Sequence, residues 1–490
     1  MNTPLIRVIT TTILLSIIGV IMAGCATNPV TGSSDFVLMS EAEEISVGRR
    51  MHPEILKQYG KYDNPALQSY VQNIGRQLAA VSHRSNLIFR FTVLDSPEVN
   101  AFALPGGYIY ITRGLLAYLD SEAQMAAVLG HEIGHVTARH SVRQQSAATA
   151  TGLFGAILSS AIGVPGVGNV VNMAGTALIR GYGREHELEA DRLGAEYLAR
   201  ARYDPNAMIE VIRVLKDQEI FDKQLAKEEN REPRSYHGVF STHPDNDQRL
   251  QNVVVKANKL RTGSVKRVNR EIFLSKLDTL TFGDGEHDGI RRGRNFYHKD
   301  LNFTLQFPDR WAVKNQPNNL VAVAPGNDGV LILGVSDLNK RISPSEFIRE
   351  RMKIDNLKNG EAISQGNIKG YTGIADGKSP YGERQIRVIV LYYNEKAYIF
   401  FGAAKDANQP YKYDSLFLST ARSFHSMSNQ EKKLAEPLRI YLIRAKNNTR
   451  FSDLARSSRI PHHAEEQLRL LNHYYPKGEP PNGRLLKIVR

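Results

Sequence analysis

Cysteine is all but absent. Cys25 is the only one in 490 residues, so no disulfide within the chain staples the fold. Acid is in deficit, with 50 Asp and Glu against 63 Lys and Arg, a net charge of +13. A surface this basic suits anionic lipid headgroups, lipopolysaccharide or cell wall, or is simply well solvated; nucleic acid is excluded as a partner if the chain is exported. Internal repeats are missing too, and with them a solenoid. After residue 24 no apolar run is both long and unbroken. Residues 146–179 carry no charge, but Pro165 and the glycines around it interrupt them, so they cannot be one membrane span. Two short apolar helices joined by a turn at Gly163 to Gly168 fit this stretch, either packed on their neighbours or acting as a lid.

What the chain does have is His131-Glu132-Ile133-Gly134-His135, an HExxH sequence inside a helical pattern, and further on Glu187-Leu188-Glu189-Ala190-Asp191. Positions i and i+4 share one face of a helix, so His131 and His135 can converge on one metal ion with Glu132 beside them. A catalytic zinc usually takes about three protein ligands and leaves a further position for water. Glu187 and Asp191 are also four apart, on a helical pattern from Arg184 to Arg200 with Leu188, Leu193, Ala195 and Leu198 on its apolar side. Such a helix could bring Glu187 to the metal and set Asp191 to accept the free ring N–H of a ligand histidine. Alone, HExxH is often an ordinary amphipathic helix and ExxxD a solvated acidic face. Their pairing favours the metal.

HEIGH followed by EHELEAD resembles the zinc metallopeptidase family of the CAAX prenyl endopeptidases and HtpX, most closely its soluble, periplasmic, BepA-like branch. Val99 to Gly107, reading VNAFALPGG, and Ser241-Thr242-His243-Pro244 with Arg249 fit the same pattern. The likeness runs over residues 36–262. It implies a mostly helical zincin-type (gluzincin) fold and a zinc metalloendopeptidase, with one Zn2+ held by His131, His135 and Glu187; the family's pattern selects Glu187 over Glu189. It implies catalytic parts for Glu132 as general base, Asp191 behind a ligand, His243 near the metal, where it either stabilises the oxyanion or blocks a resting site, and Arg249, which orients a carboxylate or the substrate. The implied substrates are unfolded or misassembled envelope polypeptides. Two other readings stand beside this one: an assembly or chaperone factor with a latent peptidase site, and a cell-wall hydrolase. BepA-like relatives carry tetratricopeptide repeats after the peptidase domain, and this sequence has none, so partner recognition must differ.

At the other end of the chain, Arg7 precedes an uncharged run from Val8 to Gly24, and Met22-Ala23-Gly24-Cys25 resembles a bacterial lipobox. Residues 1–24 then form a lipoprotein signal peptide and Cys25 is the lipidated first residue, with an uncleaved anchor as the competing reading. Acyl chains there would hold the protein on a membrane surface without spanning it. Ala26 resembles the sorting signal for the outer membrane of Gram-negative bacteria. The implied location is periplasmic and lipid-anchored.

The expected fold class is α+β. Residues 25–262 form the peptidase domain, with helices at Ser40 to Tyr59 and Pro65 to Val81, strands at Ile88 to Leu94 and Tyr108 to Ile111, and a capping box of Ser121 and Gln124 opening the metal helix. An edge strand near that helix, from Asn100 to Leu104 or just after, would hold an extended peptide. Residues 263–295 read as a charged, solvated connector. Residues 296–428 read as an α+β sandwich with one antiparallel sheet, faintly similar to PsbP-like domains, with a helix from Ser343 to Leu357 and a hairpin about Asn394-Glu395-Lys396. Residues 435–490 resemble a LysM module, the βααβ fold that binds N-acetylglucosamine polymers, which makes peptidoglycan the implied partner. Where such modules carry Gly-Asp-Thr this one has Asn447-Asn448-Thr449, and residues 431–490 hold 13 Lys or Arg against 6 Asp or Glu.

Overall fold

Side-chain oxygens of Ser40 and Asn64 set the start of the first two helices in the computed structural model, which describes residues 25–147, 149, 183–228, 255, 267–286, 288–316 and 319–490. A short antiparallel ribbon, β1 (Cys25–Thr27) with β2 (Ser34–Phe36), leads into α1 (Glu41–Tyr59). Ser40 and Glu43 cap α1 reciprocally, and Asn64 accepts from Leu67 N to open α2 (Pro65–Ala80). The expected signal peptide, residues 1–24, lies outside the described residues, as does most of the apolar stretch 146–179. No described helix is long and apolar enough to cross a membrane.

A three-stranded sheet follows: β3 (Arg90–Leu94), β4 (Ala101–Leu104) and β5 (Tyr108–Thr112). In it β5 is central, parallel to β3 and antiparallel to β4. The Gly106-Gly107 turn between β4 and β5 has φ of 78° and 87°, the left-handed region that glycine enters without steric cost. The outer edge of β3 is closed by side chains: Gln68 and Gln72 on α2 accept from the backbone nitrogens of Val93 and Phe91. That leaves β4 as the sheet edge without such a cover among the described residues.

After α3 (Arg113–Tyr118), Ser121 opens α4 (Glu122–Thr137), every residue of which is buried. Only half of the expected capping box forms. Ser121 accepts from Gln124 N, but the Gln124 side chain takes Asp120 N rather than Ser121 N, because its amide is also drawn to Glu210. After a two-residue turn the chain is helical again over residues 140–147, and then come α5 (Arg184–Arg200) and α6 (Ala207–Glu228), packed on α4, and α7 (Arg270–Lys276).

The stretch 263–295, expected as a solvated connector, is partly core. Phe273, Leu274, Leu277 and Leu280 are buried in the first unit, Arg270 grips Asp120, and β6 (Thr281–Phe282) pairs with a strand near the C-terminus. Glu271, Lys276 and Asp278 between these apolar residues are exposed, and they give the stretch its linker-like look.

The second unit is built on two antiparallel sheets rather than one. The four-stranded sheet contains β7 (Ile290–Arg292), β8 (Asn295–His298) and β9 (Phe303–Gln306). The larger, seven-stranded sheet runs from β10 (Ala312–Gln316), β11 (Asn319–Val323) and β12 (Gly329–Asp337), across α8 (Pro344–Glu350), to β13 (Lys358–Gln365), β14 (Ile368–Ser379), β15 (Gly382–Tyr393) and β16 (Lys396–Ala404). Alternation along β15 sends Ile389 and Leu391 to one core with Phe417 of α9 (Asp414–Arg422), and Val388 and Val390 to the other with Phe347 of α8. Helix α8 stops far short of Leu357, since Lys353 turns left-handed at φ 57°. The short β17 (His425–Ser426) completes the four-stranded sheet, and α10 (Asn429–Leu434) leads to the last unit.

Chain order there is β18 (Leu438–Arg444), α11 (Phe451–Arg456), α12 (Ala464–Leu471), β19 (Leu485–Val489), with β18 flanked by β19 and β6. Its apolar side chains, among them Ile440, Phe451, Leu468 and Leu486, join the same core as α2, α4 and α6. The C-terminus is therefore an integral wall of the first unit.

Candidate metal centre

Helices α4 and α5 touch because glycines face each other across them. A Cβ on Gly130 would lie 3.3 Å from Gly194 O, and one on Gly134 would lie 3.0 Å from Ala190 O. This close approach brings the side chains of His131 and His135 on α4 against Glu187 on α5. Their Nε2 atoms lie 2.9 Å apart, and Glu187 oxygens are 3.6 Å from His131 Nε2 and 3.4 Å from His135 Nε2. All three residues are buried, His131 at 6%, His135 at 1% and Glu187 at 0% exposure. They are the one cluster of ligating side chains with metal-binding spacing among the described residues.

The outer nitrogens decide what the inner ones can do. His131 Nδ1 is 2.9 Å from Asp191 Oδ1, one turn beyond Glu187. A carboxylate at that distance favours the proton on the facing nitrogen. His135 Nδ1 is 2.8 Å from His140 Nδ1, and His140 Nε2 is 3.1 Å from Glu189 Oε2. The carboxylate again fixes the direction: His140 donates from Nε2, accepts at Nδ1, and His135 donates from its own Nδ1. Both ligand candidates thus present Nε2 lone pairs to each other and to a carboxylate. Three buried electron-pair donors facing inward repel unless a cation lies among them, and the set of two imidazoles and one carboxylate is that of a catalytic zinc site. The residues fit the metal.

Around the centre, Glu189 also accepts from Arg143 Nη1 at 3.0 Å. The hydrogen bonds from His140 and Arg143 bring its carboxyl down to about 2, against burial. Burial pushes His140 below its ordinary value, and its ring stacks on His186 at 4.4 Å. On the other side, Glu132 is buried at the wall of a small cavity. Its apolar lining includes Ala101 of β4 and Met208, Val211, Ile212 and Leu215 of α6. A second cavity is lined by Ala103 and Leu104 of β4 with His135, so β4 runs past both histidines.

Of the residues singled out in the sequence, the structure gathers His131, Glu132, His135, Glu187 and Asp191. Cys25 falls in β1. His243 and Arg249 lie outside the described residues. Sequence reasoning passed over His140 and gave Glu189 no part. On an unbroken helix, five residues turn roughly 140° from His135, so His140 would face elsewhere. Instead Arg139 adopts φ 56°, ending the helix and folding His140 back. The signal available was a third histidine close behind HExxH, with a third acid in EHELEAD left to receive it.

Residues 65–256 match Peptidase family M48. The beta-barrel assembly-enhancing protease of Escherichia coli (strain K12) is 30% identical over 299 residues, which are 59% of this chain and 56% of that protein. The mitochondrial metalloendopeptidase OMA1 of Schizosaccharomyces pombe is 29% identical over 182 residues, 36% of this chain and 54% of that protein. The chain thus spans about half the length of the curated relatives it matches. A solution structure of cyanobacterial PsbP from Synechocystis sp. PCC 6803, 17% identical, covers 30% of this chain and 98% of its own, with a TM-score of 0.22, too low to carry an argument.

Proposed function

We propose that the chain is a zinc-dependent endopeptidase of the bacterial cell envelope that acts on misfolded or misassembled periplasmic and outer-membrane proteins. The observation that carries this is the convergence of His131 Nε2, His135 Nε2 and a Glu187 carboxylate, with each histidine's other nitrogen already committed. Zinc, when bound there, supplies Lewis acidity that polarises a peptide carbonyl and makes water acidic enough to lose a proton near neutral pH. The remaining work belongs to side chains. Glu132 accepts the proton of the attacking water and passes it to the nitrogen of the leaving amine. Asp191 keeps the proton on His131 Nδ1 and so keeps Nε2 free to ligate. The uncovered edge of β4 pairs with the backbone of an extended peptide, which suits substrates of many sequences.

The wider assignment is also a proposal. His243 and Arg249, from the likeness of their motif, act on the oxyanion and on a carboxylate or substrate. Cys25, from its lipobox, is acylated and holds the protein at the periplasmic face of the outer membrane. The substrate class draws on the printed name of the Escherichia coli relative. The basic excess of residues 431–490 supports contact with peptidoglycan or lipid A phosphates.

In a strain lacking this protein, expression of Glu132→Gln should leave misassembled outer-membrane polypeptides undegraded while the unsubstituted chain clears them. Full rescue by Glu132→Gln would instead favour an assembly factor with a latent site.

A further inference from the structure

His131 and His135 are not supported alike. The outer nitrogen of His131 lies 2.9 Å from a carboxylate, Asp191, whereas the outer nitrogen of His135 is linked to one, among the described residues, through another imidazole, His140. That imidazole is fully buried, and as a neutral ring it serves both neighbours by accepting at Nδ1 and donating at Nε2. Its place is set by three independent restraints. The chain leaves α4 at left-handed Arg139, whose guanidinium is held by Glu44 and by Met39 O. His186 stacks on the ring. Glu189, fixed in turn by Arg143, anchors Nε2.

We propose that Glu189 and His140 form a positioning relay that holds His135 in its Nδ1–H tautomer and fixes its ring for metal binding. Three acids within the five residues Glu187 to Asp191 then have three separate tasks: Glu187 ligates, Asp191 orients His131, and Glu189 orients His135 at one remove. A ring free to rotate or to carry its proton on Nε2 offers the metal no lone pair, so the relay acts on affinity for zinc. This rests on the reading of His131, His135 and Glu187 as ligands.

The test is the zinc dissociation constant of the purified chain, measured by competition with a chromogenic chelator, beside the thermal midpoint of the metal-free protein. His140→Leu should weaken zinc binding by about 10- to 100-fold, the usual range for loss of an outer partner of a ligand. His140→Gln, whose amide oxygen accepts and whose amide nitrogen donates, should recover most of that loss. Glu189→Gln should weaken binding on its own yet add little on top of His140→Leu, since it acts through that ring. A lower midpoint with unchanged zinc affinity in His140→Leu would overturn the relay, as would additive losses in the double variant. Failure of the unsubstituted chain to bind one zinc would overturn the ligand reading itself, and the relay with it.

Discussion

A side-chain carbon on Gly194 would lie 3.0 Å from the backbone nitrogen of His131, so the helix carrying Glu187 and the helix carrying the histidines meet with no room for a Cβ. The distance from Glu187 to the two imidazoles is set by that contact. Gly194→Val should force the helices apart, cost about 1–3 kcal/mol as overpacking does, and weaken zinc binding more than a surface substitution of equal cost. Chelator competition combined with urea denaturation separates the two effects.

Glu44 lies buried between two arginines. It accepts from Arg84 Nη1 at 2.9 Å and from Arg139, whose left-handed backbone turns His140 toward the metal centre. Glu44→Ala leaves both guanidinium groups short of their buried partner, and breaking such a pair costs roughly 3–5 kcal/mol. The expected outcome is a large fall in unfolding free energy accompanied by weaker zinc binding. A fall in stability with zinc affinity unchanged would mean that Arg139 is not what holds His140 in place.

Lys487, at 0% exposure, donates from Nζ to the carbonyl oxygens of Ala117 and Leu119, both at 2.7 Å, just ahead of the metal helix. Burial brings its ammonium down to about 7, with Arg270 and Arg484 adding to the fall and Asp120 opposing it. In the unfolded chain the same group keeps its proton to about 10.4. Between those values the unfolded state binds more protons, so this residue makes stability rise as pH goes from 7 toward 10 and fall on return. Lys487→Met should flatten that slope, read as thermal midpoint against pH. Retention of the full slope would remove Lys487 as its source.

His473 contributes in a lower window. Its Nε2 meets Tyr118 O at 2.8 Å, and burial pushes its pKa to about 4, below the ordinary value of 6.5. Stability from this group should therefore be intact above 6.5 and be lost as pH falls toward 4. His473→Gln should reduce the acid sensitivity of the joint between the C-terminal unit and α3, followed by hydrogen exchange at Tyr118 and its neighbours.

The candidate ligand cluster was legible in the sequence because HExxH and ExxxD are each local, with Glu187 singled out over Glu189 by the family resemblance. Spacing along one helix puts His131 with His135 and Glu187 with Asp191, and nothing distant is needed to see it. The helices from Glu41, Pro65 and Arg184 were legible for the same reason, through their apolar stripes. What stayed hidden depends on backbone turns or on remote partners. His140 joins the site only because Arg139 leaves the helix. Lys487 sits in an ordinary-looking strand, and its acceptors are more than 360 residues earlier. Residues 358–365, KNGEAISQ, form an edge strand whose side chains are nearly all solvated, so no apolar alternation marks it. The burial of Phe273 and Leu274 was masked by the charges on either side.

The most direct measurement is zinc content together with cleavage of an unfolded polypeptide, made on the chain from Ala26 onward, on Glu132→Gln and on His135→Ala. The expected result is one zinc and cleavage for the unsubstituted chain, one zinc without cleavage for Glu132→Gln, and neither for His135→Ala. Undiminished cleavage by Glu132→Gln with its zinc in place, or full zinc retention by His135→Ala, would contradict the account.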